Sequence, residues 1–174
     1  MTGVQTCALP IFDGDQCLVF FLGGPPIGGG QTGLLGFSTD PMNPANPATP
    51  DRKKYFDFDV ARLLFRDPAN PFPSYLDPWG RAPYVYFQSG SRSDNYKNWL
   101  QNTTGVAPYY SKATVVAPAV QTGYYNATTF QLISAGPDGL FGPGGFWTPA
   151  TATSIAPQGR DDVSNFHDKP LGIP

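Results

Sequence analysis

Asp77-Pro78-Trp79-Gly80-Arg81-Ala82-Pro83-Tyr84-Val85-Tyr86-Phe87-Gln88 reads as a tight turn that feeds directly into a strand. Pro presets φ at the second turn position and Gly suits the fourth. Tyr84 to Phe87 are aromatic or β-branched, the composition that fits a pleated, half-buried surface. Two more stretches of that kind follow, at residues 114–117 and 130–134. Short strands joined by long connections after a single helix predict an α+β domain with a small antiparallel sheet and many loops.

Upstream, DGDQCLVFFL at residues 13–22 predicts that helix. Asp13 or Asp15 serves as its N-cap and Gly23-Gly24 as its stop signal. It reads as the last turns of a longer helix or as a short one, with its apolar residues facing a core. The Gly-rich run GGPPIGGGQTG at residues 23–33 lacks the Gly-Lys-Ser/Thr of a phosphate loop and reads as a flexible surface loop. PMNPANPATP at residues 41–50 cannot hold regular structure. In KKYFDFDVARLLF, residues 53–65, an extended entry gives way to apolar residues at helical spacing, predicting a short helix capped by Asp57 or Asp59. Residues 89–96 are polar and read as loop.

Composition sets bounds. The chain has 174 residues, 20 Gly, 20 Pro and a formal net charge of -2. That length allows one domain with a core, and the balance offers no basic surface for nucleic acid or anionic lipid. All 13 acidic residues are Asp, a residue of caps, turns and ligand loops, so little helix is expected. Cys7, Cys17 and His167 are too few and wrongly spaced for zinc. His167 reads as a surface residue. Asn102 and Asn126 head acceptor triplets too short to carry weight.

The acidic residues also mark a candidate site. Ser134-Ala135-Gly136-Pro137-Asp138-Gly139 and Asp161-Asp162-Val163-Ser164-Asn165 enclose a stretch with no acidic residue between them. Three carboxylates drawn together repel one another unless a cation sits among them, and calcium accepts six to eight oxygens at flexible geometry. Gly-Pro-Asp-Gly is equally an ordinary turn, and Asp161-Asp162 a solvated loop or helix start. An EF-hand is excluded, because Leu140 and Gly142 stand where further acidic or amide residues belong.

Taken together, the motifs resemble the C-terminal globular domain of the major pseudopilin of bacterial type II secretion systems, within the type IV pilin-like class. The resemblance rests on the Asp77-Pro78-Trp79-Gly80 turn before Pro83-Tyr84-Val85-Tyr86. It rests equally on Ser134 to Gly139 followed by Asp161-Asp162-Val163-Ser164-Asn165-Phe166. It implies a pilin-like α+β domain, short helix remnants packed on the sheet, and a calcium ion in the late loop. Asp138 would give a carboxylate, with one or both of Asp161 and Asp162, and Ala135 a main-chain carbonyl. It further implies a non-enzymatic filament subunit of the periplasmic cell envelope. Its partners would be other pilin-like subunits, the secretion machinery and, through a preceding apolar helix, the inner membrane. Residues 91–125 and 143–158 are long insertions relative to that pattern. MTGVQTCALPI, residues 1–11, resembles a translated sequencing adapter, which leaves residues 12–174 as a single domain whose assembly helix is missing.

Two other functions fit the same residues. A calcium-dependent carbohydrate-binding or adhesive module would use a groove lined by Trp79, Trp147 and tyrosines. A hydrolase would use the Asp161-Asp162 pair as general acid and partner, although no nucleophile elbow is present.

Overall fold

A computed structural model describes residues 14–28, 32–66, 70–90, 94, 96, 105–116 and 120–174. Residues 1–11, Cys7 and Asn102 lie outside them. The protein is α+β, and its described residues form one α-helix, α1 (Gly14–Gly23), and ten short strands. Asp15, Gln16, Val19 and Gly23 recur at helical spacing and form its buried face. Asp15 is not a cap. It sits inside the first turn, where a carboxylate suits the helix dipole, and pairs with Arg66 Nη2 at 2.7 Å. Gln16 Nε2 donates to the Phe72 carbonyl at 2.9 Å. The helix ends as expected, with Gly24 N–H donating to Phe20 O at 2.8 Å.

Strands β1 (Phe37–Ser38) and β2 (Arg52–Lys53) pair antiparallel and close the Pro-rich loop between them. That loop lacks regular structure, yet Arg52 organises it. Its guanidinium donates to the carbonyls of Leu35, Gly36 and Asn46. The expected helix after Asp59 shrinks to a 3-10 turn, Val60–Arg62, capped by the Asp59 carboxylate on Ala61 N–H at 3.0 Å. Leu63 and Leu64 leave it as β3 (Leu63–Leu64), pairing with β4 (Ser74–Tyr75). Tertiary pairing overrides the local helical spacing there. Pro26 and Leu34 form an antiparallel bridge that pairs the two ends of the Gly-rich stretch.

Two three-stranded sheets build the rest. In the first, β5 (Val85–Gln88) and β10 (Val163–Ser164) flank β8 (Phe130–Ser134), all antiparallel. In the second, β6 (Tyr109–Val116) lies between β7 (Val120–Tyr124) and β9 (Gly145–Phe146). The β6–β9 pairing is parallel. A buried amide joins the two sheets. Gln131 Oε1 accepts from Tyr109 N–H at 2.8 Å, and its Nε2 donates to the carbonyls of Tyr109 and Tyr125. One side chain thus supplies what a ladder of main-chain bonds would.

Two apolar clusters result. Val19, Leu34, Phe58 and Tyr75 pack where α1 lies on β4 and β5. The other gathers residues of β5, β6 and β8 with Trp147, Ala152 and Leu171. Tyr96 belongs to this second core, with its hydroxyl donating to Asn126 O at 2.6 Å, and the described residues of the polar stretch 89–96 carry no helix or strand, as expected. Among the described residues no helix is long and apolar enough to cross a membrane.

Candidate metal centre

Strand β8 runs into the first acidic loop and β10 leaves the second. Val163 pairs with Ser134 and so sets the two loops side by side. Fully buried Asp77 braces this corner from the Asp-Pro-Trp-Gly turn. Its Oδ1 accepts from Arg81 N–H at 3.1 Å and its Oδ2 from Ser134 Oγ at 3.3 Å. Ser134 Oγ in turn accepts from Gly136 N–H at 3.3 Å. Gly136 has φ +67 and lies directly on residue 161, where any Cβ would run into the Asp161 carbonyl. Only glycine meets both demands.

All three predicted carboxylates come to this corner, and each commits an oxygen to a main-chain N–H. Asp138 Oδ1 accepts from Leu140 N–H at 2.7 Å. Asp161 Oδ2 accepts from Asp138 N–H at 3.0 Å, a bond spanning both loops. Asp162 Oδ2 accepts from Gly142 N–H at 2.9 Å and from the Tyr109 hydroxyl at 3.4 Å. Asp138 is exposed, Asp161 half-buried, and Asp162 has 0 % of its surface exposed. The tail straps the second loop down, with Leu171 N–H donating to Asp162 O and Gly172 N–H to Arg160 O. Ala135 is fully buried at the end of β8.

Asp162 Oδ1 is buried with no hydrogen-bond partner. A buried, underbonded carboxylate is costly unless it is neutralised. Burial accordingly pushes the Asp162 carboxyl up to about 7. The Gly142 amide pulls it back, the charge of Asp161 raises it, the Tyr109 hydroxyl lowers it, and Asp138 adds a further rise. Burial and the same carboxylate push the Tyr109 phenol upward. The corner therefore offers hard oxygens, excess negative charge and one orphaned acceptor, which suit an oxygen-seeking cation. Its convergence is partial. Among the described residues no three acidic, His or Cys side chains are grouped tightly enough to share one ion.

Other expected site residues lie elsewhere. Trp147 is 1 % exposed, and its indole N–H donates to Leu171 O at 2.9 Å. It is a core residue with no face for a sugar. Trp79 is exposed on its turn. His167 is not a plain surface residue. Its side chain is 12 % exposed, lies against Trp147 with ring centroids 4.9 Å apart, and has Nε2 3.1 Å from Ile173 O. Asn126 Nδ2 donates to Phe130 O at 2.9 Å. The roles of Tyr109, Gly142 and the Asp77–Ser134 clasp escaped the sequence reading, because they come from pairings 20 or more residues apart.

No protein-family model, curated protein or solved structure matches this chain.

Proposed function

We propose that this chain is the globular domain of a filament subunit of the secretion-pseudopilus or type IV pilus-like kind, with calcium stabilising its C-terminal loops. The role is structural rather than catalytic. On this reading the subunit works in the periplasmic cell envelope beside other pilin-like subunits and the secretion machinery, held to the inner membrane by an apolar helix. The stretches that carry the resemblance support it by lying together. β5 and β10 begin in those stretches and flank β8, which ends at Ser134, and Asp77 bonds Ser134 there. The observations that carry the calcium assignment are the bond from Asp138 N–H to Asp161 Oδ2, which joins the two acidic loops, and the buried Oδ1 of the adjacent Asp162, which has no hydrogen-bond partner. A bound ion supplies positive charge and coordination to oxygens that otherwise repel. Asp138, Asp161 and Asp162, which this structure does not bring close enough to share one ion, would have to draw together to hold it, with the Ala135 carbonyl as main-chain donor.

The test is a calorimetric titration of chelator-stripped protein with calcium chloride, paired with melting curves. Saturable binding and a higher melting temperature are expected. Superimposable melting curves in calcium and in chelator would remove the site from the proposal. The filament assignment is tested separately, in the genomic reading frame upstream of residue 12. A prepilin cleavage motif followed by an apolar helix is expected, and a frame that continues without either would defeat it.

A further inference from the structure

An open cleft of about 540 Å³ borders β10, lined by Asn126 and by residues 164–168. No Lys or Arg is among these residues, and Asp168 gives the cleft a negative charge. One wall is stiff. Asn126 and Asn165 both donate through Nδ2 to the Phe130 carbonyl, at 2.9 and 3.2 Å. Asn165 Oδ1 also accepts from Leu132 N–H at 3.0 Å.

His167 and Asp168 form the other wall. His167 Nε2 lies 3.1 Å from Ile173 O. A carbonyl only accepts, so Nε2 carries the ring proton and Nδ1 of the neutral ring is a bare acceptor. The ring is held edge-on against Trp147, and its side chain is 12 % exposed. Nδ1 stands 3.7 Å from Asp168 Oδ1. Two acceptors so close repel unless a donor joins them. The nearest cation along the chain, Lys169, is engaged elsewhere, its Nζ donating to Pro174 O at 2.6 Å. Hydrogen bonds of about 2.9 Å allow one nitrogen to reach both acceptors. A primary ammonium carries three donors on that nitrogen and a charge opposite to that of Asp168. A hydroxyl has one proton and cannot serve both.

We propose that this cleft is a docking site for a primary ammonium group, gripped between His167 Nδ1 and the Asp168 carboxylate. The group could belong to a free amine or to a lysine side chain of a partner. The site is independent of the calcium reading, and its failure would leave that reading untouched.

The chain has a single histidine, so its imidazole NMR signals report on the cleft directly. Putrescine, Nα-acetyl-lysine amide and tetramethylammonium chloride are each titrated into the full chain at constant ionic strength. The pH is set at about 8, above the range in which histidines ordinarily charge. Saturable shifts of the ring signals are expected with both amines and not with tetramethylammonium, which has no N–H. Tighter binding of putrescine marks a free amine as the ligand, and tighter binding of the lysine amide marks a partner's side chain. Asp168→Asn should weaken binding ~fivefold, the worth of one exposed ion pair. Asp57→Asn removes the same charge from the helix region, at a side chain 91 % exposed, and should change nothing. No saturable shift with either amine overturns the proposal, as does an equal shift with tetramethylammonium. Undiminished binding in Asp168→Asn, or an equal loss in Asp57→Asn, overturns it too, since attraction would then be general rather than local.

Discussion

Phe58 and Tyr75 meet edge-on under α1, with centroids 4.7 Å apart, whereas Tyr125 and Phe166 lie face to face at 4.6 Å beside Trp147. The regions around these pairs are held in different ways. The helix region has strands of two residues each and is tied by arginines. Arg52 clamps three carbonyls, Arg62 lies over the Tyr75 ring and bonds Leu76 O, and Arg66 pairs with Asp15. It also leaves Phe21, Tyr55, Phe56 and Val60 exposed. The Trp147 region has longer strands, a fully buried Gln131 and a closed apolar core. Planar guanidinium forks can fasten irregular chain without a thick core. Burial of large rings does the same work where two sheets face each other.

Substitutions can break that comparison or sharpen it. The largest effect is expected from Trp147→Ala, which empties the closed core and orphans the Leu171 carbonyl. A loss of about 4 kcal/mol in urea unfolding is expected, and a loss below about 1 kcal/mol would show that this core is not the stronger one. Next comes the ion. At a hundredfold excess over Kd, calcium should add about 2.7 kcal/mol, read as a higher melting temperature that Asp162→Asn abolishes.

The pH dependence of the ion-free protein follows from the same carboxyl. Its folded value, about 7, lies above the ordinary 3.8, so between those values the folded state binds the extra proton. Stability from this group is full below about pH 4, declines as pH rises to about 7, and is flat above that. Melting of chelated protein at pH 5 and pH 8 checks this. Calcium should then raise the curve more at pH 8, where no proton competes for Asp162.

In the helix region Val19→Ala should cost about 2 kcal/mol by lost burial and cavity. An effect as large as that of Trp147→Ala would erase the contrast between the regions. The smallest effect is expected at Phe21, which is 60 % exposed. Phe21→Ser should shift stability by no more than about 0.5 kcal/mol in the same assay.

Legibility differed between the regions for physical reasons. β5 was visible because aromatic and β-branched residues run without interruption from Tyr84 to Phe87, β8 because Phe130, Leu132 and Ile133 make a short apolar stretch, and α1 because its stop glycines follow an apolar stretch. The turn at Val60–Arg62 was read too long because Leu63 and Leu64 suit a helix as well as a strand, and only Ser74–Tyr75, ten residues on, decides between them. β9 has two residues, one a glycine, and exists only because β6 is beside it. At the acidic corner, residue type and the neutral gap marked Asp138, Asp161 and Asp162. The burial that separates Asp162 from Asp161 left no local trace, since it depends on Tyr109, 53 positions away.

The parallel seam between β6 and β9 bears on how such a chain could have arisen. Removing either long loop alone would bare a row of unsatisfied amides and carbonyls on the other, an invitation to edge-to-edge aggregation. The two segments form one heritable unit, gained together or lost together. Homologues should therefore be long at both places or short at both, and a chimera that keeps only one should precipitate.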